Sequence, residues 1–587
     1  MSSQNNKKKA SKTSKNKTVK LYDYNFQNIV EDNDDSDDSS GSENGKKKFA
    51  DNKTLMIQMF GMDEEGKTYS IKVHDYKPYF YVKLNGDLTS NDFNDIIEHL
   101  HNSVGSKYYR NSLLPYPATK CVKRKKLYEF DAGQEYDFIK LTFKNVSAFN
   151  KFKGLWYTDD KDYRKRKMKK MYFKGFELNL YEAALPPLLR FFHDTNINPS
   201  GWVNLKNPEK NGFKETECDY EYNVSYKNIS PSTKIANVPL KIMSFDIEAS
   251  SSHGDFPVPI KDYRKLAEDI ITYWTMHKSE LVNKDIEDQK DIFKSLVNTA
   301  FEYDNVEDIN KVYYKKKFKK PTKEYLNEIL DYMLENDVAD MISKPNNKAL
   351  VEEYYEIKNK IPTHCLVNNI IYFLNHKVDV SDKVYILNKV LSPNHDKLYM
   401  MPELEGDKCT FIGSSFTKMG EKEPYLNNMI VLNTCDKMED VDNQEVIVCK
   451  KEHTVLKKWA EIIRREKPDI IIGYNIFGFD WKFLLDRAKE LGCTDELLKI
   501  SKNKNEECKI TNSCIKIASG THVLQYVKIP GRVQLDVYNY FRREVSLPSY
   551  KLDNVASHYI GDMVKDHSWS KDTQKTKVKS KNLKGLK

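Results

Sequence analysis

No run in this 587-residue chain is apolar over the roughly twenty residues needed to cross a bilayer. The N-terminus lacks the apolar core of a secretory signal and opens instead on the lysine-rich "NKKKASKTSKNK". The nine cysteines include no CxxC pair, and the closest two, Cys508 and Cys514, have no obvious partners. This pattern fits reduced thiols in an intracellular compartment, and neither a disulfide framework nor a zinc site. A secreted or membrane-spanning protein is therefore not expected.

What is present is charge. Charged residues make up 31% of the chain and apolar ones 39%, which fits a soluble protein with large charged surfaces. The length suggests about three to five domains. The net charge of +9 is unevenly spread. "VKRKK" (122–126) and "YRKRKMKKMYFKGF" (163–176) are dense basic stretches, the second interleaved with Tyr163, Tyr172 and Phe173. Such stretches suit the phosphates of a polyanion, with rings available for stacking, and equally suit a solvated loop.

Residues 1–50 read as a disordered charged tail, a basic block followed by "EDNDDSDDSSGSENG". The basic block also fits a nuclear-import signal. Residues 51–237 read as a β-rich, mixed α+β N-terminal region, starting with a hairpin around Asp63–Gly66 and a further strand after it. From residue 238 the order changes. Strands are expected to end at Asp246 and to span 409–416, 428–433 and 445–450. A helix follows with Val455, Leu456, Trp459, Ile462 and Ile463 on one face, then a buried strand at 470–473. Another helix starts just past Asp480. That is an α/β layer on a mixed sheet. Residues 259–400 interrupt it with helical patterns and read as an insertion without a recognisable motif.

Within this layer, "KIMSFDIEASSS" (241–252) sets Asp246 and Glu248 two residues apart in an apolar segment. On a strand they share a face, and two like charges so placed raise each other's pKa unless a cation lies between them. A hard divalent ion such as Mg²⁺ is suited to oxygen ligands. A strand simply emerging into solvent would give the same pair. "DIIIGYNIFGFDWKFLLDRA" (469–488) adds Asp480 at a strand–loop–helix junction of the same sheet. If the first and fourth strands of this sheet are neighbours, three carboxylates converge at one edge. Such a site can hold two metal ions about 4 Å apart.

"SFDIE" and "GYNIFGFD" resemble the first and second exonuclease motifs of family B DNA polymerases, nearest to the delta-type catalytic subunits of eukaryotes and large DNA viruses. "MPELEGDKCTFIGSSFTKMG" and "PGRVQLDVYNYFRREVSLPSYKLDNVASHYIG" fit the same family in the same order. The resemblance is strong over 238–257 and 400–566, weaker over 51–237, and absent over 1–50 and 259–400. It implies a ribonuclease-H-like exonuclease domain over 238–587, interrupted by the helical insertion. It implies 3′→5′ hydrolysis of a mispaired primer end with two Mg²⁺ ions, or Mn²⁺ in their place. Asp246 would bridge both ions, Glu248 would bind the nucleophile-side ion, and Asp480 would support the second. Tyr474, Asn475 and Phe479 would shape the groove for the unpaired 3′ end. The implied partners are primer-template DNA and a sliding clamp or accessory replication subunits. The implied place is the nucleus or a viral replication site.

The family's third motif, Tyr-x-x-x-Asp, does not occur in 500–587, and the polymerase signatures "DxxSLYPS", "KxxxNSxYG" and "YGDTDS" do not occur at all. The expectation is thus the front part of a longer DNA-directed DNA polymerase, with weak or no nuclease activity alone. A stand-alone exonuclease would need a further acid: Asp536, Asp553 or Asp566. A non-catalytic DNA-binding scaffold is the third reading. For Asp536 in "GRVQLD" a structural role is favoured.

Overall fold

The structure is a computed structural model that describes residues 16–30, 53–105, 111–126, 130–159, 166–315, 320–342, 355, 358–392, 401–436, 442–517 and 520–560. Most of the charged stretch 1–50, most of the helix expected within "ALVEEYYEIKNKI", and Asp566 lie outside these residues.

The disordered reading of 1–50 needs correction over Lys17–Val30, which form a strand. It pairs antiparallel with Lys53–Met62 and with Trp202–Leu205, in the interior of a seven-stranded sheet. Its alternation is hidden in the sequence because a bulge inserts Tyr22 between the Leu21 and Asp23 pairings. The extra residue changes the parity. Val19 and Leu21 before it, and Tyr24 and Phe26 after it, therefore all reach one core.

The expected hairpin is present, with Lys53–Met62 and Thr68–Val73 paired antiparallel. Its turn closes through the Gly66 N–H donating to the Asp63 carbonyl at 3.1 Å, and Gly66 has a φ of 77° that a side chain would strain. The next strand, Tyr79–Lys83, lies in the middle of a second, five-stranded sheet. Two helices, Phe93–Val104 and Val146–Lys153, contribute to the core of that sheet.

The α/β layer begins with β1 (Lys241–Ser250). The chain then runs through helices before returning to the sheet. Among them are α1 (Arg264–Met276), α2 (Ile286–Ala300), α3 (Lys323–Glu335), α4 (Thr363–Leu366), α5 (Ile370–Asn375) and α6 (Val380–Leu391). Leu266, Ile270, Ile271 and Trp274 of α1 are all buried in a core these helices build for themselves. The sheet resumes with β2 (Lys408–Lys418), β3 (Leu426–Leu432) and β4 (Gln444–Cys449). Then come α7 (Glu452–Glu466), β5 (Ile470–Gly473), α8 (Asp480–Glu490), β6 (Val533–Asp536) and α9 (Val537–Glu544).

The strand order is β4-β3-β2-β1-β5-β6. β1, β2 and β3 pair antiparallel, while β5 and β6 run parallel to β1. Helices α7 and α8 cover the apolar face, where Val455, Leu456, Trp459, Ile462 and Ile463 meet Met243, Phe245 and Ile247. This is the mixed α/β sheet expected from the sequence, with the strand at 470–473 beside the first. The first sheet is tied to it by a polar chain: Lys502 donates to the Tyr22 hydroxyl at 2.8 Å and also pairs with buried Asp469, whose other oxygen receives the Lys241 N–H.

Candidate active site

Strand β1 separates its two faces cleanly. Met243, Phe245 and Ile247 point into the core, and Asp246 and Glu248 point out. Phe245 is wedged between Trp459 and Trp481, with ring centroids at 4.9 and 5.6 Å, which fixes the pleat and so the side the carboxylates take. β5 lies directly beside it, with Ser244 opposite Ile472. Gly473 ends β5 in a place where a Cβ would sit 2.9 Å from the Phe245 carbonyl oxygen and 2.3 Å from Ile476. Only a glycine lets the chain turn there so close to β1.

The turn that follows is tight. Asn475 has a φ of 63°, and its carbonyl receives the N–H groups of Gly478 and Phe479, both at 3.0 Å. The turn delivers Asp480 as the first residue of α8, 2% exposed. There the unpaired backbone N–H groups and the helix dipole favour a negative charge.

The Asp246 and Asp480 carboxyls lie close enough for each to shift the other's proton affinity, and one proton can be shared between them. Burial, followed by the charge of Asp246, pushes the Asp480 carboxyl up to about 8. Asp246 is raised too, by the protein crowding its outward-facing carboxyl, although the Ile247 N–H donates to it at 3.1 Å. The shared proton rests on Asp480. One Asp480 oxygen, Oδ1, is buried with no hydrogen-bond partner.

The expected convergence of three carboxylates is realised for two. Glu248 shares the outward face but is not drawn into the pair: among the described residues, no acidic trio has its oxygens all within 4.8 Å of one another. A bulge at Thr410 shifts the β1–β2 register just after Glu248, and the Asp246 charge raises the Glu248 carboxyl after the larger effect of crowding. The donor set nonetheless fits divalent ions. It consists of carboxylate oxygens, one of them a buried atom still lacking a partner, which is what a hard cation requires.

The loop residues expected to meet a strand end are held by their own contacts. The Tyr474 hydroxyl donates to the Tyr550 carbonyl at 2.5 Å, and its ring meets Tyr538 edge to face at 5.5 Å. Phe479 meets Phe256 edge to face at 5.4 Å, and Phe256 is 73% exposed. Sequence reasoning missed Phe256, because it follows β1 in a stretch with no motif.

Asp536 ends β6 opposite Gly473. Its carboxylate accepts from the backbone N–H groups of Asn475, Phe477 and Tyr538 and from the Asn539 side chain. It braces the loop and caps α9, which leaves it no spare role as a third acid. Asp553 is exposed on the helix Leu552–Tyr559.

A sequence model of the family described as DNA polymerase family B, exonuclease domain, matches residues 178–342 and 393–555. The DNA polymerase of Phaeocystis pouchetii virus is 37% identical over 619 residues, which is 97% of this chain and 57% of that protein. The DNA polymerase delta catalytic subunit of Candida albicans is 34% identical over 181 residues, 30% of this chain and 17% of that one. This chain thus spans little more than half the length of the first and less of the second. Among solved structures, the family B DNA polymerase from the hyperthermophilic archaeon Pyrobaculum calidifontis aligns with 92% of this chain and 39% of its own. Its TM-score is 0.43 at 13% identity, too distant a likeness to argue from.

Proposed function

Because the chain belongs to DNA polymerase family B, we propose that its α/β layer is the proofreading 3′→5′ exonuclease of a DNA-directed DNA polymerase that replicates DNA. The observation that carries this reading is the proton-sharing pair of Asp246 and Asp480, with its buried, unpartnered oxygen, at the meeting point of two parallel strands and a helix start.

Asp246, Glu248 and Asp480 would hold two divalent ions, Mg²⁺ or Mn²⁺, which supply an activated water and a Lewis acid for the departing oxygen. The chain's own residues do the positioning. To serve as a ligand Asp480 would have to give up its proton, since metal-binding carboxylates are deprotonated. Phe479 and the exposed ring of Phe256 offer an aromatic surface on which an unpaired base can stack. The Asn475 backbone N–H, bound by Asp536, helps hold the loop beside that surface. A mispaired primer end frays more easily than a paired one, so a site built for a single strand selects errors.

The polymerase activity itself, a sliding clamp or other accessory replication subunits, and a place in the nucleus or a viral replication site are parts of the same proposal. They rest on the relatives. Among the described residues no helix is long and apolar enough to cross a membrane. With three acids and no Tyr-x-x-x-Asp motif in 500–587, weak nuclease activity is expected of these 587 residues alone.

The test is degradation of a 5′-labelled single-stranded oligonucleotide with Mg²⁺ or Mn²⁺, beside Asp246→Ala. Slow, stepwise shortening from the 3′ end that vanishes in the variant supports the reading. Cleavage unaffected by Asp246→Ala, or DNA binding indifferent to EDTA with no shortening even at high enzyme, overturns it in favour of a scaffold.

A further inference from the structure

The structure assigns a zinc site, separate from the acidic pair, to His364, Cys365 and His376 in the helical region between β1 and β2. Among the described residues these three make up the one group of His, Cys, Asp or Glu side chains whose donor atoms all lie within 4.8 Å of one another.

The local fold explains how they meet. His364 and Cys365 lie on α4, and His376 caps the C-terminus of α5. The short turn between the helices is pinned by the Asn368 side chain, which donates to the His364 carbonyl at 2.7 Å, and by the Asn368 carbonyl, which receives the Val338 N–H. The two imidazoles then face each other edge to face at 5.0 Å.

The His376 tautomer leaves one ring nitrogen free to bind a metal. His376 Nδ1 lies 3.2 Å from the Tyr372 carbonyl oxygen. A carbonyl can only accept, so Nδ1 carries the proton and Nε2 presents its lone pair. Fixing one ring nitrogen on a backbone carbonyl while the other binds is the usual support of a ligating histidine. The Tyr372 ring lies against His376 at 4.2 Å and holds the imidazole plane.

The donor chemistry selects the ion. One thiolate and two neutral imidazoles suit a tetrahedral Zn²⁺ and suit Mg²⁺ poorly. The Cys365 thiol releases its proton to solvent as the zinc–sulfur bond forms, and water takes the fourth position. Helices of four and six residues have little stability of their own, and a shared ion would clamp them to each other. The lack of CxxC spacing says nothing against such a site, because two of its three ligands are histidines.

The test uses the full chain carrying Asp246→Asn and Asp480→Asn, so that the acidic pair does not compete for metal. After zinc loading and dialysis, plasma mass spectrometry should find about one zinc per chain. His364→Ala changes an exposed side chain, and circular dichroism checks that its fold is kept. It should weaken zinc binding by more than the ~10–100-fold typical of losing a supporting partner. Loaded with Co²⁺ instead, the parent should show the near-ultraviolet absorption of a cobalt–thiolate bond, and Cys365→Ser should lack it. Zinc content no higher than that of a folded His364→Ala, or Co²⁺ bound without the thiolate band, overturns the assignment.

Discussion

The carboxylate of Asp536 receives the backbone N–H of Asn475 at 2.9 Å, across the gap between two parallel strands, and that of Phe477 at 3.1 Å. The loop that delivers Asp480 to its helix is thereby held by an acid that lies 56 residues further along the chain in sequence number (480 to 536). Asp536→Ala strands these donors and uncaps α9. The expected cost is about 1–3 kcal/mol in urea unfolding, with weaker single-strand binding, and Asp536→Asn should fall between the variant and the parent.

The Asp246–Asp480 pair predicts an unusual pH dependence without metal. Asp480 binds its proton up to about 8 in the folded chain, against 3.8 for an ordinary aspartate. Between those values the folded state holds the proton more tightly than the unfolded state does. Stability from this group is therefore fully present below about pH 4 and is lost as pH rises through about 8. In EDTA, Asp480→Asn should flatten that decline and melt higher than the parent at pH 8, as read by thermal unfolding across pH. Divalent ions should stabilise the parent and leave the variant nearly unchanged.

The helix that carries Asp480 is anchored by a buried ion pair. Arg487 donates to both carboxylate oxygens of Glu452, at 2.8 and 2.5 Å, and to the Pro259 carbonyl at 2.9 Å. Arg487→Met leaves the Glu452 charge without its partner and should cost roughly 3–5 kcal/mol. Adding Glu452→Gln should recover much of that loss, since the amide oxygen still accepts the Cys409 N–H. Chemical denaturation of the single and double variants checks both expectations.

Removal of residues 1–30 tests the strand at Lys17–Val30. It lies between two strands of its sheet, and its Tyr22 hydroxyl accepts from Lys502 of the α/β layer. The truncation should expose Leu55, Ile57 and Met59 from the neighbouring strand and abolish cooperative unfolding of the N-terminal region. Limited proteolysis against the full chain would show rapid cleavage within 53–237. Resistance equal to the full chain would show that the strand contributes little.

Much of the α/β layer was legible because its signals are local. Alternation around Asp246, a continuous apolar run at 470–473 and a clear helical face at 455–463 each follow from the period of one element. The motif spacing then named the acids, since a carboxylate pair two apart on a strand has one face to share.

What the sequence could not carry is whatever depends on register and on the tertiary neighbour. The strand at Lys17–Val30 was lost because one bulged residue changes its parity. That Glu248 shares a face with Asp246 without completing a close acidic trio is decided by distances in three dimensions and not by its spacing. That Asp480 and not Asp246 keeps the proton follows from burial at a helix start, which only packing creates. The brace from Asp536 and the meeting of His376 with Cys365 arise for the same reason: hydrogen bonds and ligand sets are fixed by distance in space, and a linear pattern reports distance along the chain.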